Sequence, residues 1–175
     1  MKKMLLIALI ISITLYINSY KQENIIPDEA IRFRIIANSN SIDDQNVKII
    51  IRNEVENKLL SLLNDSKTID ESRNIIKNNM KNIDQIVNNK LKELNYNQKY
   101  TIKYGKNYFP SKKYKGIRYK SGTYESLVIT LGKGDGNNFW CVLFPPLCLI
   151  ENEDTKTSDI EYKFAIKELI DRYLK

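Results

Sequence analysis

Apolar and polar residues alternate from Ile31 to Ile35, where Ile31, Phe33 and Ile35 are separated by Arg32 and Arg34. A period of two predicts a strand with one apolar face, and it aims the two guanidinium groups together off the other face. The period lengthens after Ser41-Ile-Asp-Asp44, an N-cap with an acidic third position, so a helix should begin near Ile42. Val47, Ile50 or Ile51, Val55, Leu59 and Leu62 carry its core-facing stripe to about Leu63, where Asn64-Asp65-Ser66 ends it. Thr68-Ile-Asp-Glu71 is a second helix start. Ile69, Ile76, Met80, Ile83, Val87, Leu91 and Leu94 continue that stripe to Asn95, which predicts two antiparallel amphipathic helices.

From Lys99 the period returns to two. Tyr100, Ile102 and Tyr104 alternate, Tyr108-Phe109-Pro110 follows, and Ile117-Arg118-Tyr119 leads into Tyr124 to Leu131. Turns at Gly105, Gly116 and Gly122 make this a meander of short strands. Gly132, Gly134 and Gly136 then precede the apolar run Phe139 to Phe144, stopped by Pro145-Pro146, which cannot donate to a ladder. A phosphate-binding loop would have to open a helix after a strand, or place Ser or Thr after Lys133, so the glycines predict a flexible hairpin connection. After the polar stretch Glu151 to Thr157, Ser158-Asp-Ile-Glu161 opens a last helix with Tyr162, Ile166, Leu169, Ile170 and Tyr173 on one side. The fold class is therefore α/β (α+β): a mixed or antiparallel sheet of about five strands, two amphipathic helices after the first strand, and a C-terminal helix.

Length changes this picture little, since 175 residues build one core of ordinary size. The N-terminus changes it more. Met1-Lys2-Lys3 and the apolar stretch Met4 to Ile17 form a charged start and a segment about 21 Å long as a helix, shorter than a hydrocarbon core. Residues 1–20 are thus a signal peptide or N-terminal membrane anchor, with cleavage near Ser19 or Tyr20 and retention both open, and residues 21–175 form a single globular domain. Either reading exports the domain. The net charge of +7 suits an anionic membrane or wall surface or an acidic partner, whereas the scatter of basic residues and the absence of any recognition motif argue against nucleic acid.

Export gives the two cysteines two readings. Cys141 and Cys148 flank the Pro-Pro bend and are either a disulfide or two buried thiols. Arg32 and Arg34 grip a carboxylate or phosphate, or lie on a solvated face neutralised by Asp28 and Glu29. Lys112, Lys113, Lys115, Arg118 and Lys120, interleaved with Tyr108, Tyr114 and Tyr119, make one hairpin strongly basic. The chain has no histidine, which removes Ser-His and Cys-His nucleophiles and His-ligated zinc. Two thiols are too few for a Cys-only zinc site, so no metal and no cofactor is expected. Glu125 is better placed as a surface or ion-paired glutamate than as half of a glycosidase pair.

The segments Ile26-Pro-Asp-Glu-Ala-Ile-Arg-Phe-Arg-Ile-Ile-Ala-Asn-Ser-Asn-Ser41, Tyr108-Phe-Pro110, Tyr124-Glu-Ser-Leu127 and Asn138-Phe-Trp-Cys-Val-Leu-Phe-Pro-Pro-Leu-Cys148 resemble, in that order, the stage II sporulation protein R family of endospore-forming bacteria. The resemblance departs at Phe139, where a second Trp is expected and an aromatic ring is kept. It implies a non-enzymatic signalling protein exported from the forespore into the space between the two membranes. There it would activate a membrane-embedded aspartic peptidase that processes the mother-cell sigma factor precursor. The expected partner contacts are Trp140, Phe144, Pro145 and Pro146 as an apolar anchor, with Arg32 and Arg34 as charged contacts. The same side chains also serve as ordinary core and turn residues. The competing function class is an extracytoplasmic hydrolase acting on cell-wall polymer or peptide.

Overall fold

The computed structural model describes residues 7, 9–13, 29–114, 117–148 and 167–173. Strand β1 (Ile31–Ile36) is followed by helices α1 (Ile42–Leu63), α2 (Ile69–Asn78) and α3 (Met80–Glu93). Strands β2 (Tyr100–Phe109), β3 (Lys112–Tyr114), β4 (Ile117–Tyr119), β5 (Gly122–Leu131) and β6 (Asn138–Phe144) come after them. The fold is α+β, with a four-stranded sheet in the order β2-β5-β1-β6 and a separate β3-β4 hairpin. The sheet is mixed: β1 runs parallel to β5 and antiparallel to β6, and β2 runs antiparallel to β5.

The first helix has the bounds its cap and stripe predict. Ser41 is the N-cap and accepts from the Asp44 N–H at 3.2 Å, and the helix ends at Leu63. The second predicted helix is two. Asn79 breaks it because its backbone leaves the helical region at φ −101°, ψ 5°, while its side-chain amide donates to the Ile75 carbonyl at 2.9 Å. A local bond of this kind competes with the helical ladder, which hydrophobic periodicity cannot register. Asn95, at φ +51°, ends α3, and the Tyr96 N–H closes back onto the Leu91 carbonyl at 2.9 Å.

The principal core lies between the helices and one face of the sheet. Phe33, Ile35, Leu127 and Ile129 meet Ile51, Val55, Leu59, Ile76, Ile83 and Val87, all fully buried. Each such side chain contributes about 1.5–3 kcal/mol of burial. The opposite face carries a smaller cluster of Phe109, Tyr124 and Val128, with Ile36 and Trp140 packed against it.

Two turn predictions are corrected. Gly105 does not interrupt a strand: at φ +145° it stays in register opposite Ser126, so β2 continues to Phe109. The segment after Leu131 is not a hairpin, because β1 lies between β5 and β6. Gly132 and Gly134 adopt φ +55° and +74° there, and the segment crosses the end of β1. Strand β6 stops at Phe144, before the Pro-Pro pair. The predicted start of the last helix at Ser158 and most of residues 1–20 lie outside the described residues. Residues 167–173 are helical, with Tyr173 edge-on to Phe144 at 5.5 Å. Among the described residues no helix is long and apolar enough to cross a membrane.

Candidate functional site

The alternation in β1 places Arg32 and Arg34 on the sheet face away from the helices, and the ladder puts Arg32 opposite Val142 and Arg34 opposite Trp140. The prediction that both arginines share one face is met, but that face is not a freely solvated one. Arg32 is only 6% exposed, with its guanidinium carbon 3.5 Å from the centroid of the Tyr124 ring. Arg34 lies 5.6 Å from both Phe109 and Trp140, whose rings meet edge to face at 5.1 Å. Its Nη1 donates to the Tyr108 carbonyl at 3.3 Å, and Nη2 reaches the Asn138 amide oxygen at 2.9 Å. Burial pushes the Arg34 pKa down from its ordinary value.

Beside these residues is a cleft of about 310 Å³. Arg52 and Phe139 approach it from the helical side, and Arg32, Trp140 and Val142 from the other face, so the cleft runs along the outer edge of β6. Lys112, Tyr119 and Lys120 close it from the β3-β4 hairpin, and Phe109 and Tyr124 complete the aromatic wall. Cations sit over rings here as well: Arg52 is 4.7 Å from Phe139, and the Lys112 ammonium is 5.0 Å from Trp140. Among the described residues the lining holds four cationic side chains and no acidic one. A more open depression of about 350 Å³ adjoins it, sharing Lys112, Asn138 and Trp140 and reaching Pro110 and Asn137.

Of the residues anticipated from sequence, Arg32 and Trp140 line this cleft. Arg34 stands behind Trp140 and Phe109, fixing the floor. Phe144 is 1% exposed and Pro145 is buried, so in the folded domain both are packing residues; Pro146 is half-buried. Sequence analysis missed Arg52, which lies on the partly exposed side of α1 and joins the site only when α1 lands against β6. Lys112, Tyr119 and Lys120 belong to the basic, tyrosine-bearing hairpin already visible in sequence.

Cys141 and Cys148 are joined by a disulfide with a Cα–Cα distance of 5.3 Å, tying the end of β6 to the turn behind it. Glu56, fully buried, lies with Oε1 3.9 Å from the Cys141 sulfur. Glu56 and the two sulfurs lie within 4.8 Å of one another, yet a half-cystine carries no thiolate for an ion, so this trio is not a metal site while the bond stands.

Of the two ordinary readings of Glu125, surface or ion-paired, the structure has the ion-paired one. Arg73 grips it with two bonds of 2.8 Å, and the Tyr104 hydroxyl donates at 2.7 Å. Arg73 also pairs with Asp70. The Arg73 bonds, with help from Tyr104, hold the Glu125 pKa below the usual carboxylate range against the opposing effect of burial. A carboxylate held ionised in this way is poorly suited to donate a proton as a general acid.

The segment Ala37-Asn38-Ser39-Asn40-Ser41 does structural work. Asn38 Oδ1 accepts from the Lys133 N–H at 2.9 Å, and Asn40 Oδ1 accepts from the Asn137 N–H at 2.7 Å. The Asp135 and Gly136 N–H groups donate to the carbonyls of Asn38 and Ala37 at 3.1 and 2.9 Å. Asp44 anchors the same segment, accepting from Ser39 at 2.5 Å, Asn38 at 2.9 Å and Tyr96 at 2.6 Å. These bonds, the Ser39 one foremost, lower its pKa to about 2.

No solved structure matches the chain. The family model described as stage II sporulation protein R matches residues 27–154. The stage II sporulation protein R of Bacillus subtilis (strain 168) is 38% identical over 157 residues, which cover 89% of this chain and 70% of that protein. The segments locked together at the β1–α1 turn, the β5–β6 crossing and the Trp140 strand all lie within the matched region, and the chain belongs to the stage II sporulation protein R family.

Proposed function

We propose that this chain is an exported signal that crosses the forespore membrane, folds in the space facing the mother cell, and switches on a membrane-embedded aspartic peptidase. The peptidase then cleaves the inactive precursor of the mother-cell sigma factor. Family membership is the observation that carries this reading. The lysine-led apolar N-terminus supports export, and a disulfide suits an oxidising compartment. The cleft along β6 supports binding, while the commitment of Glu125 to Arg73 and Tyr104 supports a domain that breaks no bond itself.

Activation of this kind requires the domain to bind the competent state of the peptidase more tightly than the idle one. Reversing a 1:99 population takes about a 10⁴-fold difference in affinity, which a pre-organised surface can supply because little ordering is left to do on binding. Trp140 and Arg32, already fixed by stacking, belong to such a surface. The test is co-expression of peptidase and precursor in a non-sporulating host, with and without this chain. Cleavage should appear only when the chain is present and exported; cleavage that proceeds equally without it defeats the proposal.

A further inference from the structure

We propose that, once the Cys141–Cys148 bond is reduced, the two cysteine sulfurs and the Glu56 carboxylate bind one thiophilic divalent cation of the zinc class. A Glu56 carboxylate oxygen and both sulfurs already lie within 4.8 Å of one another. Glu56, on α1, is fully buried, and the two cysteines belong to the principal core. Burial of apolar area does not account for a carboxylate there, since taking such a group out of water is costly. Its Oε1 stands 3.9 Å from the Cys141 sulfur, and its Oε2 stands 3.8 Å from Arg52 Nε. An ion bound through Oε1 therefore keeps the Arg52 contact, which orients the ligand from behind.

Little has to move. Around tetrahedral zinc, with Zn–S of about 2.3 Å and Zn–O of about 2.1 Å, sulfur and oxygen ligands stand roughly 3.6 Å apart. The 3.9 Å between Oε1 and the Cys141 sulfur is close to that. The Cα atoms of the cysteines are 5.3 Å apart, and rotation about their Cα–Cβ bonds parts the sulfurs to the roughly 3.8 Å that two thiolate ligands need. Cys141 also lines the cleft along β6, which supplies a way in for the ion and room for a water as fourth ligand. The donor set selects the class of metal: two thiolates favour zinc-like ions over magnesium or calcium, which take oxygen ligands. Two thiols alone are too few, and the third ligand escapes sequence pattern because Glu56 precedes Cys141 by 85 residues.

Reduction by a dithiol passes two electrons and two protons to the cysteines, and the dithiol leaves as its own disulfide. The ion then displaces both thiol protons to solvent as two metal–sulfur bonds form. Either closure ties the end of β6 to the turn beyond Pro146. Where disulfides do not persist, the ion thus holds this wall of the cleft in place.

The test takes the full chain, reduces it with a phosphine that is then removed under argon, and titrates it with cobalt(II) as a spectroscopic stand-in for zinc. Far-ultraviolet circular dichroism should show a folded chain before metal is added. One equivalent of cobalt should then raise a sulfur-to-metal charge-transfer band, which zinc abolishes and magnesium does not. The oxidised chain should give no band. Glu56→Gln, which keeps both thiols, should weaken cobalt binding by about tenfold or more. Glu54→Gln, at an exposed position on the same helix, should not. Zinc should also raise the urea midpoint of the reduced wild-type chain, because an ion held at this site favours the folded state.

A reduced chain that loses its fold, or that gives no one-to-one band, overturns the proposal. So does a band as strong and as tight in Glu56→Gln, or in the oxidised chain, as in the reduced wild type. If Glu56→Gln does not fold, the urea measurement decides. A midpoint that zinc leaves unchanged or lowers means that the thiols bind it as a loose pair in the unfolded chain, and the site is refuted.

Discussion

Asp44 shows how one side chain holds together segments that only the fold makes neighbours. Its carboxylate accepts from Ser39, Asn38 and Tyr96, and its pKa falls from an ordinary 3.8 to about 2. A depressed carboxyl pKa means that its contribution to stability is present in full above 3.8 and is lost as pH falls through about 2. Asp44→Asn should therefore cost on the order of 2 kcal/mol near neutral pH. The gap from wild type in urea titrations should shrink as the medium is acidified through that window, and a gap independent of pH would contradict the assignment. Gly136 makes a second single-residue case. A Cβ there would stand 2.2 Å from the Ser39 carbonyl oxygen, a backbone atom that cannot swing aside. Gly136→Ala should lower the melting temperature by several degrees, reflecting about 1–3 kcal/mol of overpacking. The glycine run was visible in sequence, but the reason for Gly136 was not, because Ser39 is nearly a hundred residues away.

At the scale of elements, β6 does most to define the candidate site. Its inward residues Cys141 and Leu143 enter the core, and its outer neighbours Trp140 and Val142 face the cleft, so one strand both anchors and displays. The disulfide closes eight residues, from Cys141 to Cys148, behind it. In the chain-entropy model a ring of that size contributes about 2–3 kcal/mol. Reduction, or Cys148→Ser, should therefore lower the urea midpoint without changing the slope much. An unchanged midpoint would show that the bond does not constrain the unfolded chain. The helices show where pattern reading stops. Caps and stripes located both ends of α1 and the start of α2 after Thr68, since both signals are local. The break at Asn79 was hidden because apolar spacing continues unbroken across it. The crossing between β5 and β6 was hidden for a related reason: a glycine-rich stretch between two strands looks the same whether they are neighbours or not.

At the scale of the molecule, the sheet separates two tasks. One face supports the apolar core against three helices, and the other carries the stacked arginines and rings that floor the groove. Glu125, the carboxylate considered for a hydrolase reading, lies outside that groove, tied to Arg73 and Tyr104. Glu125→Gln should lower stability by roughly 1–3 kcal/mol, as one partner of a partly buried pair is lost. In the co-expression assay, per folded molecule, it should leave precursor cleavage unchanged, and a specific loss of cleavage would point to a part for this carboxylate that the geometry does not assign.

By itself the sequence determined the element types, the caps of the first two helices, the shared face of Arg32 and Arg34, and the strand-ending Pro-Pro. These follow from residues within a few positions of one another, where backbone preference and periodicity act directly. Motif segments far apart along the chain were also enough to mark the family. Only the tertiary structure decided that β1 lies between β5 and β6, that Asn38 and Asn40 clamp the glycine segment, that Phe144 is interior, and that Arg52 stands beside Trp140. Each of those depends on a contact between residues distant in the chain. Which distant surfaces meet is set by the burial of all the apolar faces together, and no local pattern encodes that choice.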